Sequence, residues 1–171
     1  MISIERAVLH DVPLLSTIGK VSFIASHGSS ATEDVINSYV AEKYTHAIFE
    51  TELNDPCNIY YIIYYNGMPA GYSKIIFNAP CSQSLLVNLT KLERLYLLPE
   101  FYDLKLGHEL LLHNIALSKV NGQAGMWLFV WKGNSRAVRF YEKEGFKVIG
   151  SYDFRISDTH YNPNHQLLLA Y

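Results

Sequence analysis

The fold is decided by residues 126–146, which read MWLFVWKGNSRAVRFYEKEGF. The run from Met126 to Val130 is short and apolar throughout, which predicts a strand buried on both faces. Asn134 stands where a helix cap is expected, and a helix is predicted from Ser135 to Glu144 with Tyr141 on its apolar side. Gly145 should end that helix. A buried strand is therefore followed at once by an amphipathic helix.

A longer strand and helix precede this segment. Residues Leu85 to Leu98 are predicted to contain a long strand ending at Pro99, and Lys105 to Val120 has the wide apolar face of a helix. Asn121-Gly122 should end the helix. Because the connection from Lys91 to Val130 is strand, helix, strand, its two strands should be parallel with a right-handed crossover.

The rest of the chain supplies the other elements of a mixed sheet. Asn66-Gly67, between two apolar runs, is the strongest hairpin signal in the sequence. The other predicted elements are strands at 2–7, 59–65, 70–77, 147–154 and 166–170, and helices at 11–23, from 32, and at 45–53. This order predicts an α/β fold (a mixed α+β sheet) with helices on both faces, in a single domain of residues 1–171.

Composition excludes several classes of function. The 171 residues are 49% hydrophobic and 18% charged with a net charge of -2, so the chain is neither disordered nor basic. No basic stripe indicates a nucleic acid partner, and no apolar run is long enough to span a membrane. The first residues lack a signal-peptide pattern, so we expect a cytoplasmic location and no membrane partner.

Neither the cysteines nor the histidines indicate a special site. Cys57 and Cys81 are too few for a disulfide framework; we expect reduced thiols, and a single disulfide between them stays open. His108 and His113 lie five residues apart on one predicted helix, which is the wrong spacing for a shared face. We therefore expect no metal.

The turn between Pro99 and His108 is the first candidate binding site. It leads from a strand into a helix N-terminus, where free backbone N–H groups and the helix dipole favour a phosphate. Gly107 permits close approach of a ligand, and Lys105 adds a cation. One glycine before an apolar helix is equally compatible with packing, so the turn needs support from the rest of the chain.

The two segments together resemble the GCN5-related N-acetyltransferase (GNAT) family. The resemblance extends over essentially the whole chain and is most specific from Asn134 to Phe146. The chain looks closest to the bacterial PaiA-type spermidine/spermine N-acetyltransferases. The matching stretches are Leu92 to Pro99, with Glu93-Arg94-Leu95-Tyr96 inside it, the Leu106-Gly107 turn, Trp127 to Trp131, Asn134 to Phe146, and the opening Ile4-Glu5-Arg6-Ala7 with Asp11 and Leu14-Leu15.

The resemblance implies a fold, a co-substrate and a set of binding residues. The GNAT fold has a mostly antiparallel sheet whose one parallel strand pair splays apart at the acetyl-CoA site, typically at a bulge. One strand would pair with the pantetheine arm, the turn amides would cradle the pyrophosphate, Asn134 would bond the arm, and Tyr141 would lie near the sulfur. The residues implied in acetyl-CoA binding are Leu95, Tyr96, Leu97, Tyr102, Asp103, Leu104, Lys105, Leu106, Gly107, His108, Asn134 and Tyr141.

The turn departs from the family pattern, Gln/Arg-x-x-Gly-x-Gly/Ala. Tyr102 stands at the first polar position and Lys105 at the first glycine, whereas Gly107 is kept. Backbone cradling is then expected to need a negative φ at Lys105, and Asp103 must point away or pair with Lys105. The two strands are expected to part after Leu95.

The expected reaction is transfer of an acetyl group to a primary amine. The amine attacks only when neutral, so a proton must leave an alkylammonium whose pKa is about 10.4. Glu93 is the candidate general base, directly or through water, and a salt bridge with Arg94 or another neighbour is the equal alternative. Tyr141 is the candidate acid for the leaving thiolate, and a backbone N–H near Tyr96 or Leu97 could polarise the thioester carbonyl.

The acceptor is expected to be a small-molecule amine, and the resemblance suggests a polyamine. Two regions offer carboxylates and aromatic rings that suit a cation, although a solvated surface is the simpler explanation for most of them. These residues are Glu33, Asp34, Tyr39, Glu42, Tyr44, Tyr152, Asp153, Asp158 and Tyr161. Two other functions stay open: a domain that only binds or senses acyl-CoA, and an acetyltransferase for a protein N-terminus or lysine. A homodimer also stays open.

Overall fold

A computed structural model describes residues 1–171, with seven strands and five α-helices. None of the helices is both long and apolar enough to cross a membrane. In chain order the elements are β1 (Ile2–Arg6), α1 (Val12–His27), α2 (Glu33–Lys43), α3 (His46–Asn54), β2 (Ile59–Tyr65), β3 (Met68–Ile76), β4 (Leu89–Leu97), α4 (Leu106–Val120), β5 (Gly125–Trp131), α5 (Ser135–Lys143), β6 (Lys147–Arg155) and β7 (Tyr161–Ala170).

All seven strands join in one sheet, in the order β1-β2-β3-β4-β5-β7-β6. Only β4 and β5 are parallel, and every other neighbouring pair is antiparallel. The mixed, mostly antiparallel sheet with one parallel pair is therefore confirmed.

Helices cover both faces of this sheet. Helices α1 to α3 pack on one face, in a core that contains the fully buried Leu15, Phe49 and Tyr72. Helices α4 and α5 pack on the other face, where Leu111 of α4 meets Met126 of β5. We call these the α1–α3 face and the α4–α5 face.

Local sequence explains several of the boundaries. Asn66 and Gly67 both have positive φ (51° and 79°), as a tight two-residue hairpin turn requires, so the predicted β2–β3 hairpin is confirmed. The Thr45 side chain accepts a hydrogen bond from Ile48 N at 3.3 Å and caps α3. Gly145, at φ 92°, follows the end of α5.

The predicted strand from Leu85 to Leu98 was too long at its start. Strand β4 begins at Leu89, where pairing with Gly125 of β5 begins. Leu85 is fully exposed and Val87 is 73% exposed, because no neighbouring strand extends beside them. Apolar β-formers without a partner strand do not form a ladder.

The last strand begins earlier than the predicted Gln166, at Tyr161. The strand includes Pro163, whose nitrogen donates no ladder hydrogen bond. Its carbonyl accepts from Lys132 N at 2.9 Å, just past the end of β5. In an antiparallel ladder the nitrogen and the carbonyl of one residue point toward the same neighbouring strand. The Pro163 nitrogen therefore points toward Lys132, where β5 has already ended, and the sheet loses no hydrogen bond within the β5–β7 ladder.

Candidate active site

The two parallel strands separate along their length and leave a cleft in the middle of the sheet. They pair from Leu89 with Gly125 to Lys91 with Trp127, and no ladder joins them further on. A cavity of about 1120 Å³ opens there, lined by residues 92–97 on one side and 129–131 on the other. The strands therefore part after Lys91, and the prediction that they part after Leu95 was wrong by four residues.

A β-bulge in β4 starts the divergence, as predicted. Lys74 of β3 faces Arg94, whereas Ile75 faces Leu92, so Glu93 is the extra residue of β4. An inserted residue bends its strand and increases the local twist, which turns β4 away from β5. This local bend also explains why the strands part earlier than expected.

The edge of β4 that faces away from β3 borders the cavity. Leu95, Tyr96 and Leu97 pair with β3 on one side only. An extended chain can bind to such an open edge as an additional strand. The structure thus brings all three predicted pantetheine-binding residues to the cleft.

The turn before α4 forms the floor of one end of the cavity. The first N–H groups of α4 have no partner within the helix and are available to an anion. Leu104 is 40% exposed and does not line the cavity. The predicted turn residues that do line it are Tyr102, Asp103, Lys105, Leu106, Gly107 and His108.

Lys105 adopts the left-handed conformation that its position demands. Its φ is 60°, so the negative φ on which backbone cradling was expected to depend is not observed. In the family pattern this position is a glycine, which adopts a positive φ without a steric penalty; a lysine there costs about 1 kcal/mol. The turn therefore keeps the backbone path that a glycine would give, under mild strain.

Gly107 leaves space that the protein itself does not fill. A Cβ at this position would meet nothing closer than 3.6 Å, the distance to Leu97 Cδ1. Packing within the protein does not require a glycine here, so close approach of a ligand to the backbone explains it better. The open strand edge, the free helix N-terminus and this space together fit acetyl-CoA.

Arg136, which the sequence analysis did not single out, links the two rims of the cavity. The Asp103 side chain is 95% exposed, and its Oδ1 lies 3.6 Å from Nη2 of Arg136, which also lines the cavity. The Arg136 guanidinium carbon lies 3.6 Å from the centre of the Tyr102 ring. A cation therefore lies at the end of the cleft where the phosphates are predicted to bind, and the Asp103 carboxylate pairs with Arg136, not with Lys105 as the sequence suggested.

Asn134 and Tyr141 lie on the β5 side of the cleft. Asn134 Oδ1 accepts a hydrogen bond from Ala137 N at 3.1 Å, so this side chain caps α5 and keeps its Nδ2 group for a ligand. Tyr141 is 8% exposed and lines the cavity. Burial, with a smaller contribution from Tyr96, raises the pKa of Tyr141 well above its ordinary value, which keeps the phenol protonated.

Glu93 belongs to an ion-pair network under the bulge. Its Oε2 lies 2.5 Å from Lys74 Nζ and its Oε1 lies 3.4 Å from Lys91 Nζ. Lys74 also contacts Glu52 Oε2 at 3.0 Å. Burial raises the pKa of Glu93, but the Lys74 ammonium and the other cations outweigh it and lower the pKa overall. The structure thus shows a salt bridge, made with Lys74 and Lys91 and not with Arg94.

The residues predicted to contact an acceptor are divided between the main cavity and a second groove. Of the acceptor candidates, only Tyr39 and Tyr44 line the main cavity. Asp34, Glu42 and Asp158 line a second groove of about 330 Å³, which shares Tyr39 and Ile156 with that cavity. Four candidates line neither, namely Glu33, Tyr152, Asp153 and Tyr161.

His27 was missed by the sequence analysis. Its ring stacks on Phe23 at 4.5 Å and lies 5.8 Å from the Trp131 ring, within the cavity wall. Burial lowers the pKa of His27 to about 4, against a smaller opposing effect of the Phe23 backbone. The imidazole is therefore neutral at physiological pH and adds no repulsion against a cationic acceptor.

Neither thiols nor metal ligands contribute to this site. Cys57 is exposed, Cys81 is buried, and both are free, so the open question of a disulfide is answered. No cluster of His, Cys, Asp and Glu side chains is arranged to hold a metal ion.

Comparison with known proteins agrees with this cleft. The sequence profile of the acetyltransferase (GNAT) family matches residues 29–146, which is more than half of the chain. The chain therefore belongs to the GNAT family, and it is an acetyl-CoA-dependent N-acetyltransferase. Its enzyme class, predicted from the resemblance, is confirmed, and the reading as a domain that only senses acyl-CoA is not supported.

Two relatives and one solved structure illustrate the similarity. The chain is 30% identical over 148 residues to a spermidine N(1)-acetyltransferase of Thermoplasma acidophilum, covering 86% of this chain and 89% of the relative. It is 28% identical over 152 residues to an uncharacterised N-acetyltransferase of Mycobacterium tuberculosis, covering 89% and 93%. The crystal structure of the PaiA N-acetyltransferase from Thermoplasma acidophilum in complex with coenzyme A superposes with a TM-score of 0.80 at 23% identity, over 100% and 99% of the two chains.

Proposed function

We propose that this enzyme acetylates a primary amine of a small cationic molecule, in particular a polyamine such as spermidine. The observation that carries the proposal is the lining of the cavity on the α1–α3 face. Tyr39, Tyr44 and Trp131 line this cavity together with Glu93, whose carboxylate is ionised because its pKa is lowered. Aromatic faces attract a cation by about 0.5–2 kcal/mol each, and a carboxylate attracts it directly. The similarity to a spermidine N(1)-acetyltransferase supports the same class of acceptor.

The chain's own groups would hold acetyl-CoA in a single orientation. When bound, acetyl-CoA supplies an acetyl thioester. The main chain at Leu95–Leu97 would pair with the pantetheine arm, and Asn134 Nδ2 would donate to it. The N–H groups from Lys105 to His108, with Arg136 beside them, would hold the phosphates.

Two side chains would then manage the protons of the reaction. The Tyr141 phenol stays protonated because its pKa is raised, so it can donate a proton to the departing sulfur. Glu93 stays ionised because its pKa is lowered, so we assign it to attract the ammonium and to receive its proton through water. A direct transfer to Glu93 fits less well, since Lys74 and Lys91 already occupy both of its oxygens.

The carboxylates of the second groove favour an acceptor with more than one positive charge. It adjoins the main cavity at Tyr39 and carries three carboxylates. Glu42 is paired with Lys43 and Asp158 with Arg155, whereas Asp34 forms no ion pair. Asp34 is therefore the carboxylate that a distal ammonium group of a long amine would neutralise.

A comparison of two acceptors tests this proposal. Asp34→Asn should lower kcat/KM for spermidine by about two- to five-fold, the size of an exposed ion pair, and leave kcat/KM for a short alkyl monoamine unchanged. Glu33→Gln is the matched control, because Glu33 lies on the same helix and outside the groove. Turnover of peptides in place of any small amine would favour a protein acceptor and contradict the proposal.

A further inference from the structure

Strand β7 carries a row of buried carboxamides on the α1–α3 face. Asn162, Asn164 and Gln166 alternate along the strand, so their side chains project to the same side. They are 2%, 7% and 2% exposed, respectively. Buried amides are costly unless their polar atoms are bonded, so each of the three needs an explanation.

Two of the three amides have partners within the protein. Asn162 Nδ2 donates to Ser30 Oγ at 2.9 Å, and its Oδ1 lies 3.1 Å from His160 Nε2. Gln166 Nε2 donates to Cys81 Sγ at 3.2 Å. Asn162 and Gln166 are therefore explained by the packing of the fold.

Asn164 is the exception. Its Oδ1 is buried without any hydrogen-bond partner, and the residue lines the main cavity. A buried, unpaired acceptor in a native protein indicates strain, an unseen partner or a functional role. The position of Asn164 relative to the cleft points to the last of these.

Asn164 lies as far along the cleft as Leu95, next to which the thioester is expected. The last paired residues of the two diverging strands are Lys91 and Trp127, and Leu95 and Trp131 each lie four residues further along. Asn164 is directly opposite Trp131 in the β5–β7 ladder, so the two side chains share a face. The Trp131 ring lies 5.8 Å from His27 of α1, which places both on the α1–α3 face of the cleft, across from Leu95.

We propose that the Asn164 amide flips about its last side-chain bond when the substrate binds, so that Oδ1, which is shielded in the free protein, accepts a hydrogen bond from the attacking amine and orients its lone pair toward the acetyl carbon. A neutral primary amine has two N–H groups and one lone pair, so it can donate to Asn164 and still attack. The new N–C bond forms as the C–S bond breaks; sulfur takes the Tyr141 proton, and the amine proton leaves through water. This role rests on the proposed acetylation of a small amine, and it assigns the orientation of that amine to a neutral group, apart from the attraction by Glu93.

Steady-state kinetics of two substitutions test the proposal. Asn164→Leu keeps the approximate shape and removes the acceptor, so kcat/KM for the amine should fall by at least about ten-fold. Asn164→Asp keeps an acceptor oxygen and adds a negative charge, so it should retain turnover and lower the KM for a cationic amine. The KM for acetyl-CoA should stay at the wild-type value in both variants, which a general loss of structure would not allow.

Asn114→Leu is the control for removal of a buried amide. Asn114 is fully buried, has an unpaired Nδ2, and lies outside the cavity, so its substitution should lower the melting temperature and leave the KM for the amine unchanged. If the wild type acetylates the amine and Asn164→Leu has the same kcat/KM, the role of Asn164 is overturned and the proposed function stands. If Asn164→Leu does not fold, unchanged amine kinetics in Asn164→Asp would overturn it equally. A wild type that acetylates no small amine would overturn the proposed function and this role with it.

Discussion

Lys74 Nζ lies 2.5 Å from Glu93 Oε2, directly at the bulge where the two central strands part. Lys74 is 4% exposed, so its ammonium is removed from water and depends on Glu93 and Glu52 for compensation. This contact ties β3 to the extra residue of β4 and keeps the Glu93 carboxylate ionised. One ion pair therefore supports both the shape of the cleft and the charge on its acceptor side.

Breaking this ion pair should destabilise the protein. Lys74→Met leaves two carboxylates without their shared cation, and we expect the free energy of unfolding to fall by about 3 kcal/mol, measured by denaturant titration. Lys43→Met is the matched control, because its pair with Glu42 is exposed and should contribute less than about 1 kcal/mol. Equal losses in the two variants would mean that the Lys74 network does not support the bulge.

Tyr141→Phe should affect turnover and not acetyl-CoA binding. Without its hydroxyl the leaving sulfur loses its proposed proton donor, so kcat should fall by about 10²–10⁴-fold. Isothermal titration with CoA should give an unchanged dissociation constant. Tyr161→Phe, at a half-exposed residue outside the cavity, should have no effect on either quantity. Equal turnover in wild type and Tyr141→Phe would remove Tyr141 from the acid role.

The pH dependence of activity should follow the amine and not Glu93. The pKa of Glu93 is lowered and that of Tyr141 is raised, so both groups keep their active forms across the neutral and mildly alkaline range. The neutral fraction of the amine grows with pH up to its own pKa of about 10.4. We expect kcat/KM for the amine to rise steadily with pH. A rise that levels off in the acidic range, below the ordinary pKa of a glutamate, would show that Glu93 acts as a direct base.

His27 should make the protein less stable in mild acid. Its pKa is lowered to about 4 in the folded state, against an ordinary value of 6.5. The unfolded chain therefore binds the proton more tightly, and stability falls as the pH drops from about 6.5 to about 4, by up to about 3 kcal/mol. Denaturant titrations of His27→Phe at pH 7 and pH 4.5 should show a smaller loss than wild type. His10→Gln, at an exposed histidine, should lose as much stability as wild type, and an unchanged loss in His27→Phe would contradict the assignment.

Sequence predicts this fold well where a local signal decides the structure. The Asn66-Gly67 turn, the Gly145 helix end and the apolar run of β5 each impose one conformation on their own neighbourhood. It failed at residues 85–88, where a strand-like composition has no partner, because pairing depends on segments distant in sequence. The path of Pro163 through β7 depends in the same way on where β5 ends.

The site was predictable in its residues and not in its geometry. The resemblance brought out Asn134, Tyr141 and the turn, which all reach the cleft. Glu93 was identified as well, but its partner Lys74 lies nineteen residues earlier, and only the β3–β4 register brings the two together. Asn164 had only the alternation of polar residues in β7 as its signal, and that pattern is typical of any half-exposed strand.

The most direct test of this account is acetyl transfer itself. Purified protein is incubated with acetyl-CoA and spermidine, thiol release is followed, and the amine product is identified by mass spectrometry. We predict thiol release that requires spermidine and yields an acetylated spermidine in equal amount. Binding of CoA by calorimetry without any acetylated small amine, across polyamines and short alkyl amines, would contradict the account.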